Sequence, residues 1–268
     1  MSLSTKILAA DALSSSLISS MFTIFEKYYD FVDEHTFRSD LRKKTHVILL
    51  YHKNKLVGFS SAFIGSVGNI KGTVIFSGDT VLEKAHWGSK ILQQAFYKLM
   101  CLSLLKSPFK PVYWMLMSKG YKTYLLMRKN FPRSFPSFEK KTPILFNKVK
   151  NIFYKEYFGQ DFKEEYSLIQ FSKSKGQLKP GIADPGSCDM KDPNIKFFME
   201  SNPGFNNGDE LACIAQIRWY DLFYTGLKHS RKWLSRKNKP AVPKLSTQNP
   251  LASNIFGLEK EPLEVRRS

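Results

Sequence analysis

The stretch VIFSGDTVLEKAHWGSKILQQAFYKLM, residues 74–100, decides the fold. Its first half carries Val74, Ile75, Phe76, Val81 and Leu82 in an apolar run that starts at Thr73, the pattern of a buried strand. Its second half places Ile91, Leu92, Ala95, Phe96, Leu99 and Met100 at i, i+3, i+4 spacing. That period predicts a helix, opened by Gly88 and closed by Pro108. The chain therefore runs strand, turn, helix across this segment.

The same alternation continues downstream. Pro111–Met117 reads as a fully buried strand, and Gly120 precedes a helix over Tyr121–Asn130 that Pro132 ends. Strand, helix, strand, helix implies a parallel crossover within one sheet. Upstream, Val47–Tyr51 and Leu56–Ile64 are apolar runs joined through Lys53, Asn54 and Lys55, the signature of a hairpin. Before them come a short strand over Ser4–Ala10, a helix over Leu13–Tyr29 and a shorter helix over Glu34–Lys43. The expected class is α/β, α+β in layout: a mixed central sheet flanked by helices, with a C-terminal helical extension.

Beyond residue 131 the pattern loosens. Pro132–Pro143 reads as a linker, and Ile144–Tyr157 as a basic amphipathic helix with Phe146, Val149, Ile152 and Phe153 available to pack. Tyr166–Phe171 and Glu210–Trp219 are later strand candidates, separated by loop-rich sequence. A last helix runs from Asp221 to about Arg236, and its end is basic. The expected organisation is a core over 1–131, a linker, basic helix and closing strands of the same domain over 132–220, a basic helix over 221–239, and a disordered tail over 240–268.

Composition narrows the function classes. The chain has 268 residues and is 43% hydrophobic, enough to bury a sizeable core. It holds 41 Lys and Arg against 23 Asp and Glu, a net charge of +18. That balance fits an anionic cofactor, a membrane surface or nucleic acid as partner, and equally plain solubility. Cys101, Cys188 and Cys213 lie far apart with no metal-ligand spacing, so the expectation is a reducing, cytoplasmic compartment without disulfides. His35, His46, His52, His86 and His229 form no HxxxH pair, so no metal is expected. Ser14, Ser15 and Ser16 interrupt the N-terminal apolar stretch, which reads as an amphipathic helix and not as a signal peptide. No run approaches the roughly 18 apolar residues of a membrane span.

The element order β-α-α-β-β-β-α-β-α, with two closing strands, resembles the GNAT superfamily of N-acetyltransferases. The segment from Val81 to Leu92 is similar to that superfamily's cofactor motif, Arg/Gln-x-x-Gly-x-Gly/Ala after a strand. Here Trp87 falls where the Arg or Gln stands, Lys90 and Leu92 fall on the two later small positions, and Gly88 matches. The resemblance implies that Val81, Leu82, Trp87, Gly88, Ser89 and Lys90 hold acetyl-CoA or another acyl-CoA. The physical basis is that the first turn of a helix presents unpaired N–H groups and the positive end of its dipole to a pyrophosphate. Side chains at Lys90 and Leu92 would crowd the phosphates unless Lys90 supplies a cation to them.

Residues 121–131 resemble the superfamily's later helix, which carries a tyrosine that protonates the departing thiolate. Phe131 matches its terminal position, and Tyr124 and Tyr121 are the candidate tyrosines, with ordinary buried aromatics as the alternative reading for both. Asp79, Glu83 and His86 are the candidate bases near the strand end, and Asp209 and Glu210 are weaker ones. The leading expectation is an acyltransferase in which an amine or hydroxyl acceptor attacks the thioester directly. The alternative is a catalytically inactive basic module that binds membrane surface or nucleic acid through the helices near Lys141–Lys155 and Lys228–Lys239.

Overall fold

The computed structural model describes residues 3–171, 176–179 and 189–223. In chain order its elements are β1 (Leu3–Ala9), α1 (Ser15–Phe25), β2 (Tyr29–Asp30), α2 (Glu34–Arg42), β3 (His46–His52), β4 (Lys55–Gly65) and β5 (Thr73–Leu82). There follow α3 (Ile91–Lys106), β6 (Val112–Ser118), α4 (Tyr121–Asn130), β7 (Ser134–Phe135), α5 (Ile144–Phe158), β8 (Phe162–Lys163) and β9 (Leu168–Ile169). The last described elements are β10 (Gln177–Leu178), α6 (Pro193–Ser201) and β11 (Glu210–Ile217).

Nine strands form one mixed sheet in the order β1-β3-β4-β5-β6-β11-β9-β8, with β7 paired to β11; β10 and β2 form a separate pair. The β5–β6 ladder is parallel, and the other described ladders are antiparallel. A parallel pair needs a long crossover, and α3 provides it.

Alternation along the central strands assigns the two faces. Val74, Phe76, Tyr113, Met115, Ala212 and Ile214 meet Phe146, Val149, Phe153 and Tyr154 of α5. On that same face Val47, Leu49, Phe59 and Val81 meet α1 and α2. Ile75, Trp114, Leu116, Leu211 and Cys213 point the other way, into Met100 and Leu104 of α3 and the buried residues of α4 and α6. Each fully buried large apolar side chain contributes roughly 1.5–3 kcal/mol relative to exposure, so α5, with Phe146, Phe153 and Tyr154 almost wholly covered, is an integral layer of the core.

Local chemistry fixes the helix starts. Ser14 caps α1 by accepting from Leu17 N at 3.3 Å, and Asp33 caps α2 by accepting from Thr36 N at 2.8 Å. Asp192 caps α6, with Pro193 in its first turn.

Several expectations change. The first helix stops at Phe25, because Tyr29 and Asp30 leave it to pair with β10. The Pro132–Pro143 segment is not free of structure: Ser134 and Phe135 form β7 against Ala215 and Ile214. The loop-rich stretch after residue 171 contains α6. Gly88 does not itself open the helix, since α3 begins at Ile91 and Gly88 lies in a left-handed turn at φ +82. Of the helix expected from Asp221, residues 221–223 are helical, and the rest, with the 240–268 tail, lies outside the described residues.

Candidate active site at a fork between two strands

The β5–β6 ladder pairs Thr73–Ser77 with Val112–Leu116 and stops there. Past that point β5 continues against β4, and Met117 and Ser118 of β6 pair with β11. The two strands therefore part beyond Ser77 and Leu116. A bulge sits at the same place: Ser60 faces Thr80 while Ala62 faces Ser77, so Gly78 and Asp79 together oppose Ser61. The space over Gly78 is filled by side-chain ends: a Cβ there would lie 2.6 Å from Lys44 Cε and would also meet Ser61 Oγ.

Ionisable side chains from separate segments collect at the fork. Gly78, Asp79, Thr80, Tyr29, Lys44 and Lys119 are all partly exposed. Burial raises the Asp79 carboxyl above the usual carboxylate range, and the positive charges of Lys44 and Lys119 work against that rise. Lys44 Nζ donates to Tyr157 Oη at 2.9 Å and lies 4.9 Å from the ring centres of both Phe76 and Tyr157. Burial pushes its ammonium pKa down, opposed by Asp79 and Asp40. Lys119 Nζ donates to Gly176 O at 2.8 Å, stands 3.5 Å from Glu210 Oε1 and lies over the Tyr29 ring. Burial first, then the charges of Asp79 and Glu210, raise the Tyr29 phenol so that it keeps its proton.

The loop that leaves β5 leads into α3 at this same end of the sheet. Val81 and Leu82 are buried at the strand end. Trp87 folds back, its Nε1 donating to Leu82 O at 2.7 Å, while its ring packs near Tyr28. A Cβ added at Gly88 would meet nothing within 4 Å, so the loop surface is open there. Ser89 Oγ is covered and has no hydrogen-bond partner among the described residues. Lys90 occupies the N-cap of α3 without a side-chain cap bond, and Gln94 N donates to Lys90 O at 2.9 Å.

The other sequence candidates are dispersed. Glu83 forms an ion pair with Lys27 at 2.9 Å, and His86 packs against His52 with ring centres 5.0 Å apart. Tyr121 begins α4 next to Gly120, at the fork end. Tyr124, one turn on, is 1% exposed, and its hydroxyl donates to Pro136 O at 3.0 Å among the rings of Phe197 and Phe198. Asp209 accepts from Gln170 Nε2 at 2.8 Å. Sequence reasoning passed over Tyr29, Lys44, Lys119 and Tyr157. A glycine inside a strand pattern, Gly78, was the signal for the bulge that gathers them. No group of three or more His, Cys, Asp or Glu among the described residues is placed to hold a metal ion.

The element order and the parallel pair created by the α3 crossover match the layout that the sequence resemblance implies. The chain has a GNAT-like fold. No family model and no curated protein matches the sequence. Among solved structures the chain is similar to an aminoglycoside acetyltransferase from an uncultured soil metagenomic sample, at 17% identity over 54% of this chain and 99% of that one, TM-score 0.38. It is also similar to Escherichia coli ElaA (20% identity, 53% and 95% covered, TM-score 0.35) and to an acyl-CoA N-acyltransferase from Pseudomonas aeruginosa (16%, 48% and 88%, TM-score 0.36). In this GNAT-like frame the loop over 83–90 and the fork occupy one end of the sheet, and no described helix is long and apolar enough to cross a membrane.

Proposed function

We propose that this chain is a divergent GNAT superfamily member and an acyl-CoA-dependent acyltransferase. The observation that carries the reading is the fork itself: two parallel strands part at a bulge that carries Asp79, at the end of the sheet where the chain runs on into the start of α3. In this reading the acyl-CoA pyrophosphate lies against the loop from Trp87 to Lys90 and the first turn of α3, where unpaired N–H groups and the helix dipole favour an anion. Val81 and Leu82 guide the pantetheine arm along the strand end. The thioester enters the gap beyond Ser77 and Leu116, where backbone N–H groups freed by the parting strands stabilise the developing oxyanion.

Asp79 takes the proton of the acceptor amine or hydroxyl. It is preferred to Glu83, which is held by Lys27, and to His86, which lies beside His52 on the loop. A carboxylate whose pKa is raised by burial is a stronger base than an exposed one, provided it is ionised. Tyr121, at the fork end of α4, is assigned the proton returned to the thiolate; the Tyr124 hydroxyl is committed to Pro136 in the core. Transfer is direct, with no acyl-enzyme intermediate on the path to the acceptor.

The alternative, a basic surface-binding module, draws little support from α5. Phe146, Val149, Phe153 and Tyr154 pack on the sheet, Lys150 is buried and Lys155 is paired with Glu164, which leaves Ile144, Leu145 and Lys148 exposed. Thermal-shift titration with acetyl-CoA and a long-chain acyl-CoA tests the enzyme reading, because a ligand that binds the folded state alone raises its melting temperature by mass action. A concentration-dependent rise is expected, and no rise at millimolar ligand contradicts the proposal.

A further inference from the structure

Lys44 occupies an unusual place for a lysine. Its stem lies against the Gly78 bulge, and its amine stands 4.9 Å from the ring centres of both Phe76 and Tyr157, on the face of the sheet opposite α3. The thioester would enter the fork from the α3 side, so the Lys44 amine stands where an acceptor amine would stand. Lys119, the other lysine at the fork, is held by Gly176 O and Glu210. Lys44 by contrast makes no ion pair within 4 Å among the described residues, and it donates a hydrogen bond to a phenol. The Asp79 carboxylate follows the glycine on which its stem rests.

We propose that Lys44 is a self-acylation site: the protein transfers an acyl group from acyl-CoA to its own Lys44 Nζ. The inference rests on the acyl-CoA reading above. The Lys44 ammonium gives up a proton to solvent, and the free amine attacks the thioester carbonyl carbon. An N–C bond forms, and the C–S bond breaks with its electron pair going to sulfur. The second proton leaving nitrogen passes to the thiolate. The products are N-acyl-Lys44, coenzyme A thiol and one released proton, with no oxidation or reduction. Burial lowers the cost of deprotonating this amine, the effect that favours a lysine as nucleophile. An amide is stable, so the modification persists: it removes a positive charge beside Asp79 and fills the acceptor side of the fork.

The test incubates the full chain with acetyl-CoA and follows intact mass, peptide mapping and melting temperature in the same samples. The expected result is one added acetyl group, about 42 Da, on the peptide containing Lys44. It should form at least about tenfold faster than modification of the exposed hairpin lysines Lys53 and Lys55, since positioning is what accelerates it. Lys44→Arg should abolish that product, while the wild-type measurement decides the matter without relying on the variant. If acetyl-CoA raises the melting temperature yet Lys44 stays unmodified, or reacts no faster than Lys53, self-acylation is wrong and Lys44 is a fixed cation of the acceptor site. If acetyl-CoA causes no rise at all, both the self-acylation and the acyl-CoA reading fall.

Discussion

Ser77 and Leu116 are the last partners in the parallel β5–β6 ladder, and everything assigned to the site follows from the parting of the chain beyond them. Trp114 fixes that point from the α3 side, its Nε1 donating to Ser77 Oγ at 2.7 Å in the buried core.

Asp79→Asn separates chemistry from folding. Its expected effect is a loss of roughly 10²–10⁴ in kcat with little change in acyl-CoA affinity, the range for removing a general base. The stability change has the opposite sign. The Asp79 pKa is raised in the folded state, so the folded chain binds more protons, and this group's contribution falls as pH rises from the ordinary carboxylate value through the raised one. At pH 7 the Asn variant should melt above the wild type, and catalysis by the wild type should decline as pH falls through the raised value. Parallel denaturation and rate profiles check both.

Lys150 is 2% exposed in α5, donates to Ser167 Oγ, and is pulled by burial to a pKa of about 8. Its folded value lies below its unfolded one, so the charged lysine opposes folding below pH 8, and that penalty is relieved as pH rises toward 10.5. Lys150→Met should therefore stabilise the protein at pH 7 by about 1–3 kcal/mol. Urea unfolding at pH 7 and pH 9.5 should show the advantage shrinking at the higher pH.

The two tyrosines of α4 should behave differently. Tyr121→Phe is expected to lower kcat if its phenol supplies the thiolate proton. Tyr124→Phe removes the bond to Pro136 O, and its effect should appear in stability, about 1 kcal/mol. Steady-state kinetics alongside chemical denaturation distinguishes them, and a reversed pattern would exchange their roles.

Gly88 tests the phosphate approach. At φ +82 a side chain is strained, so Gly88→Ala should cost on the order of 1 kcal/mol of stability. Because nothing of the protein stands within 4 Å of that Cβ, further loss must come from what the ligand needs. Acyl-CoA affinity measured by calorimetry should fall well beyond the stability cost, and Gly88→Asn, better suited to this conformation, should fold better and bind equally poorly.

Much of this frame was legible in the sequence, because local periodicity wrote it. The strand over Thr73–Leu82 and the helix over Tyr121–Asn130 have the bounds their apolar spacing predicts. The start of α3 was misread by three residues because Trp87 turns back onto Leu82 O, a contact that periodicity does not encode. Helix α6 was hidden among Pro-Gly turns, although Asp192 and Pro193 carry a helix-start pattern. The fork was the least legible part: Tyr29, Lys44, Asp79, Lys119 and Glu210 come from five separate segments, and only the completed sheet brings them together.

Hydrogen–deuterium exchange of the full chain with and without acetyl-CoA reads where the cofactor lies. Slowed exchange is expected in two places, the amides of residues 81–93 from the end of β5 into α3, and those of residues 117–121 across the fork. Binding that leaves both segments unprotected while slowing exchange elsewhere would contradict that placement.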